Sequence, residues 1–277
     1  MAVKGASQMN TLSAVRAQLD AIDDAMHDLL MQRAGIVDSL AASRVKAGST
    51  ILRPGREADI LRRLLVRHQG PLPPAALVRV WRELFAASIA QQGGFSVSVY
   101  ERDAAMARLV PEHFGGLTAV RTYPTPARAL AAVTRGEASV AVLPFPEDAD
   151  SPEMEWWPAL NAPQLSVVAR LPFFSEGEPE ADALVVAPGA PDASEQDRSL
   201  LLLESDSEQS RGQLLSTLAS AGITARLLLV RRAPGISRFL IEADGLILPN
   251  DARLAALPFD RARLLGAYAA PLRGTAA

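Results

Sequence analysis

A heptad-like series of apolar residues near the N-terminus limits the possible folds of this 277-residue chain more than any other feature. The apolar side chains recur mostly at alternating intervals of three and four residues: Leu12, Val15, Leu19, Ile22, Met26, Leu29, Ile36 and Leu40. This spacing places one apolar stripe along a single α-helix. It predicts a helix over residues 11–47, roughly 50 Å long at ~1.5 Å per residue, which Gly48, Ser49 and Thr50 then end.

Two shorter helices are predicted after the long one. One follows Pro54-Gly55 and stops at Gly70, and the other runs from about Pro74 to Gln92. Gly93 follows the helix that ends at Gln92, at a position where glycine commonly ends a helix. Two short helices cannot cover the apolar stripe of the long one, so we expect a second copy of the chain to cover the rest in a homodimer.

The pattern changes to short alternating strands and helices after Gly94. We therefore predict four segments: a flexible N-terminus at residues 1–10, an all-α three-helix unit at residues 11–93, an α/β region at residues 95–180 and an α+β domain at residues 181–273. The last segment has the order strand, helix, strand, strand, helix, strand, which is typical of a ferredoxin-like fold.

The composition excludes several classes of protein. The chain has no cysteine, which excludes disulfides, cysteine–zinc sites and thiolate nucleophiles, and its three histidines are few for a metal site. A net charge of −3 argues against a nucleic-acid partner. No apolar run approaches the ~18 residues that a membrane span needs, and residues 1–10 lack a secretory signal pattern. We expect a cytoplasmic protein.

Arginines stand on the apolar stripe where core residues are expected. Arg33 takes the stripe position that follows Leu29, and Arg44 lies three helical turns further on, roughly 16 Å away. A buried guanidinium without a partner is very costly, so each arginine should pair with an acid or bind an anion. Two interpretations that need no bound anion stay open: Arg33 pairs with a nearby acid, or Arg44 lies at a solvated helix end.

The shorter helices add polar groups of the same kind. Arg53, Arg56 and Glu57 stand at the start of the second helix, where a glutamate also suits the helix dipole. Ser88 and Gln92 continue the buried face of the third helix. Together these residues predict a cationic, hydrogen-bonding cage for a small polyanion. Its arginines suit carboxylates, which the guanidinium group binds in a bidentate way.

Residues 11–92 resemble the all-helical class of chorismate mutase. The resemblance rests on an ordered set of residues: Leu12-Ser13-Ala14-Val15-Arg16, Asp20-Ala21-Ile22-Asp23, Arg33, Arg44, Arg56-Glu57, and Ser88 to Gln92. It implies an intertwined homodimer with active sites shared between the chains. It also implies conversion of chorismate to prephenate in phenylalanine and tyrosine biosynthesis, without a cofactor or metal.

The resemblance further implies roles for individual residues. Three are implied to be catalytic: Arg44, Gln92 and Glu57. Four are implied to bind the substrate: Arg16, Arg33, Arg56 and Ser88. In this scheme Gln92 and Arg44 donate to the ether oxygen of chorismate, and Glu57 holds its hydroxyl group. The sequence departs from the family at two positions, since lysine is usual where Arg44 stands and an acid is frequent where Arg53 stands.

The rest of the chain resembles a shortened form of a second enzyme. Residues 95–171 resemble part of a prephenate dehydratase domain, most clearly at residues 127–144, and residues 181–273 resemble an ACT regulatory domain, which implies a possible aromatic amino acid effector. The stretch 95–181 has room for one lobe of the two-lobed, periplasmic-binding-like dehydratase. The threonine-centred catalytic signature of that family is absent, so no prephenate dehydratase activity is expected.

Two other functions stay open at this point. One is a degenerate regulatory protein that binds an aromatic amino acid. The other is a lyase of the same helical fold that removes pyruvate from isochorismate. The presence of Glu57 and Gln92 favours a mutase over the regulatory protein, whereas the sequence fits the mutase and the lyase equally well.

Overall fold

The computed structural model describes residues 2–45 and 51–274, and side chains over residues 12–42 and 51–274. The chain divides into two compact units. The helix unit comprises Met1–Ile51 and Ser88–Gly93, and the sheet unit comprises Leu52–Ala87 and Gly94–Ala277. Of the described helices, none is both long and apolar enough to cross a membrane.

Three helices occupy the N-terminal third of the chain: α1 (Ala2–Val45), α2 (Pro54–Arg67) and α3 (Pro74–Gln92). The bounds of α3 are those predicted from the sequence, whereas α2 includes Pro54 and Gly55, which the prediction placed ahead of the helix. The long helix begins at Ala2, ahead of the predicted start at residue 11.

The apolar stripe of α1 is open to solvent in the single chain. Ten large apolar side chains of this helix are between 37% and 65% exposed: Leu12, Val15, Leu19, Ile22, Met26, Leu29, Leu30, Met31, Ile36 and Leu40. Val37, by contrast, is buried. An exposed apolar surface of this length is unusual for a monomeric soluble protein and is typical of a protein–protein interface.

The sheet unit is built on one nine-stranded sheet. Its strands, in chain order, are β1 (Ser96–Val99), β2 (Ala119–Thr122), β3 (Val140–Pro144), β4 (Ser166–Leu171), β6 (Ala183–Ala187), β7 (Asp197–Ser205), β8 (Ala225–Ala233), β9 (Ile236–Asp244) and β10 (Arg261–Ala269). Their order across the sheet is β2-β1-β3-β6-β4-β10-β7-β9-β8. Two short strands, β5 (Phe174–Glu176) and β11 (Leu272–Gly274), pair separately in parallel.

Helices connect the strands at both ends of the sheet. At one end α4 (Ala104–Phe114) and α5 (Pro126–Thr134) link β1, β2 and β3, which are parallel. At the other end β7 to β10 alternate with α6 (Arg211–Ser220) and α7 (Ala252–Ala255) in an antiparallel arrangement of order β10-β7-β9-β8. This is the ferredoxin-like topology that the sequence predicts.

The two regions predicted as separate α/β and α+β domains share this one sheet. Strand β6 lies beyond the predicted boundary at residue 181, yet it pairs antiparallel with both β3 and β4. Every residue of β3 and β6 is buried. Both are continuous apolar runs, which suits strands that are covered on both faces rather than on one.

Gly266 makes the junction between the two ends of the sheet possible. Strand β10 meets β4 in parallel at the pair Gly266 and Val167. The backbone of Gly266 has a φ of +142°, and a Cβ atom there would lie 2.2 Å from the carbonyl oxygen of Val167. Any other residue would be strained at this positive φ, and its Cβ atom would clash with the backbone of Val167, so only glycine fits here.

We expect Gly266→Ala to lower the free energy of unfolding by about 2 kcal/mol or more, because the new methyl group meets backbone that cannot rotate away. Gly212→Ala is the matched control: Gly212 lies in α6 with open space where its Cβ would stand. That change should leave stability unchanged or slightly raised. Urea unfolding followed by circular dichroism measures both, and equal stability of the two variants would contradict the proposed role of Gly266.

Candidate active site

The helix unit brings three of the predicted site residues together. The Nη1 atom of Arg33, on α1, donates a hydrogen bond to the Oγ atom of Ser88, near the end of α3, at 2.6 Å. The Nε2 atom of Gln92 donates to the backbone carbonyl of Ser88 at 2.8 Å. Ser88 is buried and Arg33 and Gln92 are half-buried. A guanidinium, a hydroxyl and an amide therefore lie within one helical turn of α3.

Local helix geometry explains this grouping. Ser88 and Gln92 are four residues apart on α3 and so lie one above the other on the same face. Arg33 interrupts the apolar stripe of α1 as the sequence indicates, and burial lowers the pKa of its guanidinium. Arginine nevertheless stays protonated at neutral pH. The group offers positive charge and hydrogen-bond donors, and its hydroxyl contact with Ser88 is of the kind that a carboxylate ligand could replace.

The sheet unit holds Glu57 in a buried ion pair. The Nη1 atom of Arg82, on α3, donates to the Oε2 atom of Glu57, on α2, at 2.8 Å. Glu57 is 8% exposed and Arg82 is 5% exposed. Burial raises the pKa of Glu57, against the opposing effect of the Arg82 guanidinium. This contact occupies one carboxylate oxygen of Glu57.

Sequence reasoning missed Arg82, although the sequence contains a signal for it. Arg82 lies four residues after Val78 and three before Phe85, so it shares the apolar side of α3. Its guanidinium carbon lies 5.9 Å from the ring centre of Phe85 and 5.7 Å from that of Phe173. An arginine on an apolar helix face is expected to be paired, and Glu57 is the pairing acid.

Arg53 and Arg56 are placed by an acid that the sequence did not suggest. The Nε atom of Arg53 donates to Asp192 Oδ1 at 2.8 Å, and the backbone N–H of Arg56 donates to Asp192 Oδ2 at 3.1 Å. The side chain of Arg56 is exposed. Asp192 is 139 residues from Arg53 in the chain, and no local sequence pattern connects the two.

Two predicted residues remain, Arg16 and Arg44. Arg16 is exposed on α1. The side chain of Arg44 lies outside the described residues. Within the described part of the chain, no group of three or more histidine, aspartate or glutamate side chains is arranged to hold a metal ion.

A small cavity of about 110 Å³ adjoins the buried pair. Its lining includes Arg79 and Arg82 of α3, His113 of α4 and Phe173. Burial, and secondarily the positive charge of Arg82, hold the pKa of His113 well below its ordinary value. His113 is therefore neutral at physiological pH and adds no charge to this region.

Comparison with known proteins identifies a family for the N-terminal part of the chain. Residues 15–93 match the family model for chorismate mutase type II. The matched segment contains α2, α3 and most of α1, together with all seven predicted site residues. The resemblance seen in the sequence is confirmed for this segment.

Curated relatives combine two activities in their names. The chain is 28% identical over 115 residues to the bifunctional chorismate mutase/prephenate dehydratase of Stutzerimonas stutzeri, a match that covers 39% of this chain and 32% of that protein. It is 24% identical over 142 residues to the protein of the same name from Pseudomonas aeruginosa, covering 49% and 38%. The chain thus matches about a third of the length of these relatives.

Solved structures similar to the chain are more distant. The prephenate dehydratase from Streptococcus mutans is 16% identical with a TM-score of 0.45, covering 65% of this chain and 100% of that one. The prephenate dehydratase from Arthrobacter aurescens in complex with L-Phe is 16% identical with a TM-score of 0.47, covering 63% and 89%. A quorum quenching acylase, GqqA, has a TM-score of 0.46 at 18% identity, covering 63% and 94%. Scores below 0.5 do not establish a common fold.

The Arg82–Glu57 pair predicts a large loss of stability when one partner is removed. Arg82→Met should lower the free energy of unfolding by about 3–5 kcal/mol, because it leaves a buried carboxylate without its counter-charge. Arg63→Met, a change at an exposed arginine of α2 that does not line this cavity, is the control and should change stability by less than about 0.5 kcal/mol. Urea unfolding of both variants at neutral pH tests this, and similar midpoints would contradict it.

Proposed function

We propose that this protein is a chorismate mutase, which converts chorismate to prephenate in phenylalanine and tyrosine biosynthesis. The observation that carries the proposal is the group formed by Arg33, Ser88 and Gln92, inside the segment that matches the chorismate mutase type II family. This group provides a cation, a hydroxyl and an amide donor at the positions that the family resemblance assigns to substrate binding and catalysis.

The proposed reaction suits such a site. Chorismate is a dicarboxylate that rearranges in a pericyclic step: an ether C–O bond breaks while a C–C bond forms, and no proton is transferred. The protein has to hold the compact, chair-like conformer and place donors where the ether oxygen gains negative charge. Arginine and glutamine side chains perform both tasks, and no cofactor or metal takes part.

The proposed roles follow the family resemblance. Three residues act in catalysis: Arg44, Gln92 and Glu57. Four bind the substrate: Arg16, Arg33, Arg56 and Ser88. Arg33 and Arg16 clamp carboxylates, Gln92 and Arg44 stabilise the ether oxygen, and Glu57 accepts a hydrogen bond from the substrate hydroxyl through the oxygen that Arg82 does not occupy.

We also propose that two chains share each active site. Arg16 and Arg33 are 17 residues apart on the continuous helix α1, which is roughly 25 Å along its axis. One small substrate cannot span that distance, so Arg16 would enter the site of a partner whose long helix runs antiparallel. The exposed apolar stripe of α1 supports this arrangement, because an antiparallel partner would bury it.

The C-terminal region is proposed to be regulatory or structural and not to act as a dehydratase. Its ferredoxin-like order of strands supports a comparison with ACT domains, for which an aromatic amino acid is the proposed effector. The parallel strands β1 to β3 with α4 and α5 would be a remnant of one periplasmic-binding-like dehydratase lobe. Residues 181–183, Ala-Asp-Ala, do not carry the threonine of the dehydratase signature.

The purified protein should convert chorismate to prephenate in the presence of EDTA, and prephenate should accumulate without phenylpyruvate. Arg33→Ala should lower kcat/KM by about 100-fold to 1,000-fold, because it removes a charged donor from a desolvated site. Arg128→Ala, an exposed arginine on α5, is the control and should match the wild type. The measurement is loss of chorismate absorbance with chromatographic identification of the product.

Three other results would contradict or change parts of this proposal. Full activity of Arg33→Ala would contradict the assignment of the site. In a parallel assay with isochorismate as the substrate, release of pyruvate by a protein that leaves chorismate unchanged would favour the lyase. Enzyme-dependent phenylpyruvate would show that the C-terminal region is an active dehydratase.

Mixing two inactive variants tests the shared site. Arg16→Ala and Arg33→Ala should each be nearly inactive alone. After co-refolding, half of the dimers are mixed, and each mixed dimer has one site with both changes and one with neither. Activity should recover toward about a quarter of the wild-type value, as random pairing of an isologous dimer requires. No recovery in preparations shown to be dimeric by light scattering would remove Arg16 from the site.

A further inference from the structure

Helix α2 begins without a cap of its own. Arg53 precedes its first residue, and the Arg53 side chain makes no capping hydrogen bond. The first N–H groups of a helix have no partner inside the helix and need an acceptor from elsewhere. Pro54 at the first position removes one of these donors, but the N–H of Arg56 remains.

Asp192 supplies the missing acceptor. Its Oδ2 atom accepts the hydrogen bond from the N–H of Arg56 at 3.1 Å, and its Oδ1 atom accepts from Arg53 Nε at 2.8 Å. The Asp192 side chain is 16% exposed. A carboxylate at a helix N-terminus is also favoured by the helix dipole. Asp192 thus caps α2 from a distant part of the chain, whereas the residue that precedes a helix, here Arg53, usually provides the cap.

The backbone beside Asp192 fits closely against the same turn. A Cβ atom on Gly55 would lie 2.3 Å from the carbonyl oxygen of Ala193 and 2.6 Å from that of Asp192. The absence of a side chain at position 55 therefore allows the segment 192–193 to approach the helix. No larger residue fits there without moving one backbone away from the other.

A second anchor holds α2 further along. The side chain of Arg62 is 7% exposed and donates to Ser194 Oγ at 3.0 Å and to the backbone carbonyls of Gln196 and Ala270 at 2.8 Å and 3.1 Å. In the opposite direction, the N–H of Glu195 donates to Asp59 Oδ1 at 3.1 Å. The segment 192–196, which we call the clasp, therefore contacts α2 at its first turn and again two turns later.

We propose that the clasp positions α2 for the mutase reaction, with Asp192 as the positioning residue for Arg56 and Glu57. The inference rests on the proposed function, in which those two residues contact chorismate. They occupy the turn that Asp192 caps, so the direction in which this turn points depends on a residue far outside the segment that matches the mutase family. The C-terminal region would then be required for full mutase activity, even without an effector and without a reaction of its own.

The test uses the full chain with three substitutions. Asp192→Ala removes the acceptor. Asp192→Asn keeps an acceptor for the N–H of Arg56, because asparagine caps helices about as well as aspartate. Asp251→Ala is the matched control, since Asp251 caps α7 and pairs with Arg253 far from α2 in the sequence. We measure kcat and KM with chorismate, thermal unfolding, and hydrogen–deuterium exchange of peptides that cover residues 53–60.

Asp192→Ala should lower kcat/KM by about 10-fold to 100-fold at a temperature where the variant is fully folded, because small displacements of positioned groups cost that much. Amide exchange in residues 53–60 should become faster. Asp192→Asn should recover most of the activity, and Asp251→Ala should match the wild type in both measurements.

Three results would overturn the inference, and they can be told apart. Wild-type activity in Asp192→Ala would mean that the clasp does not position the site. Equal loss in a folded Asp192→Asn would mean that capping of Arg56 is not the cause. An inactive wild type would contradict the proposed function and this inference with it, whereas the exchange data would still report whether the clasp holds α2.

Discussion

The placement of α2 depends on one physical constraint, which is the cost of taking a guanidinium group out of water without giving it partners. Arg62 and Arg82 are both buried, and their guanidinium carbons lie 5.6 Å and 5.7 Å from the ring centre of Phe173. Glu57 supplies the counter-charge for Arg82, and Asp59 supplies it for Arg62. The Nη atoms of Arg62 also donate hydrogen bonds to a hydroxyl and two backbone carbonyl oxygens. These directional contacts fix the register of α2 in a way that apolar packing alone would not.

Removing a partner and removing a pair have different consequences here. A buried pair is weak evidence for net stability, because the cost of desolvation offsets most of the attraction between its charges. The loss of one partner leaves the full desolvation cost of the other. The buried groups on α2 therefore act mainly on specificity: they make alternative positions of the helix expensive. This matters because Glu57, one member of the pair, is also a proposed active-site residue.

The sequence predicts local elements better than the contacts between them. The bounds of α3 and the order of strands and helices from β7 to β10 follow from apolar periodicity and from proline and glycine positions, which are properties of neighbouring residues. Helical spacing also places Ser88 and Gln92 on one face of α3, whereas their meeting with Arg33 of α1 is a contact between two helices. Arg82 was missed because its partner lies on another helix, although its place on an apolar face is visible in the sequence.

Long-range contacts account for the remaining differences. Asp192 and the clasp meet α2 across more than 130 residues of chain, and no local pattern marks such a contact. The continuous sheet was missed for the same reason: β6 reads as the first strand of a new domain, and only its pairing with β3 and β4 shows that the sheet does not end there. Gly266, which lets β10 meet β4, has no distinguishing feature in the sequence.

The stripe of α1 shows why polar residues on an apolar face are informative about function. A helix that served only to associate with a second copy would gain by carrying leucine at position 33, because leucine would continue the apolar stripe whereas a half-buried guanidinium has to be desolvated. The chain instead has an arginine there, hydrogen-bonded to Ser88. Arginine at this position is expected to make the association less stable than leucine would. Its presence therefore favours a function that needs a cation, and binding of a dicarboxylate is such a function.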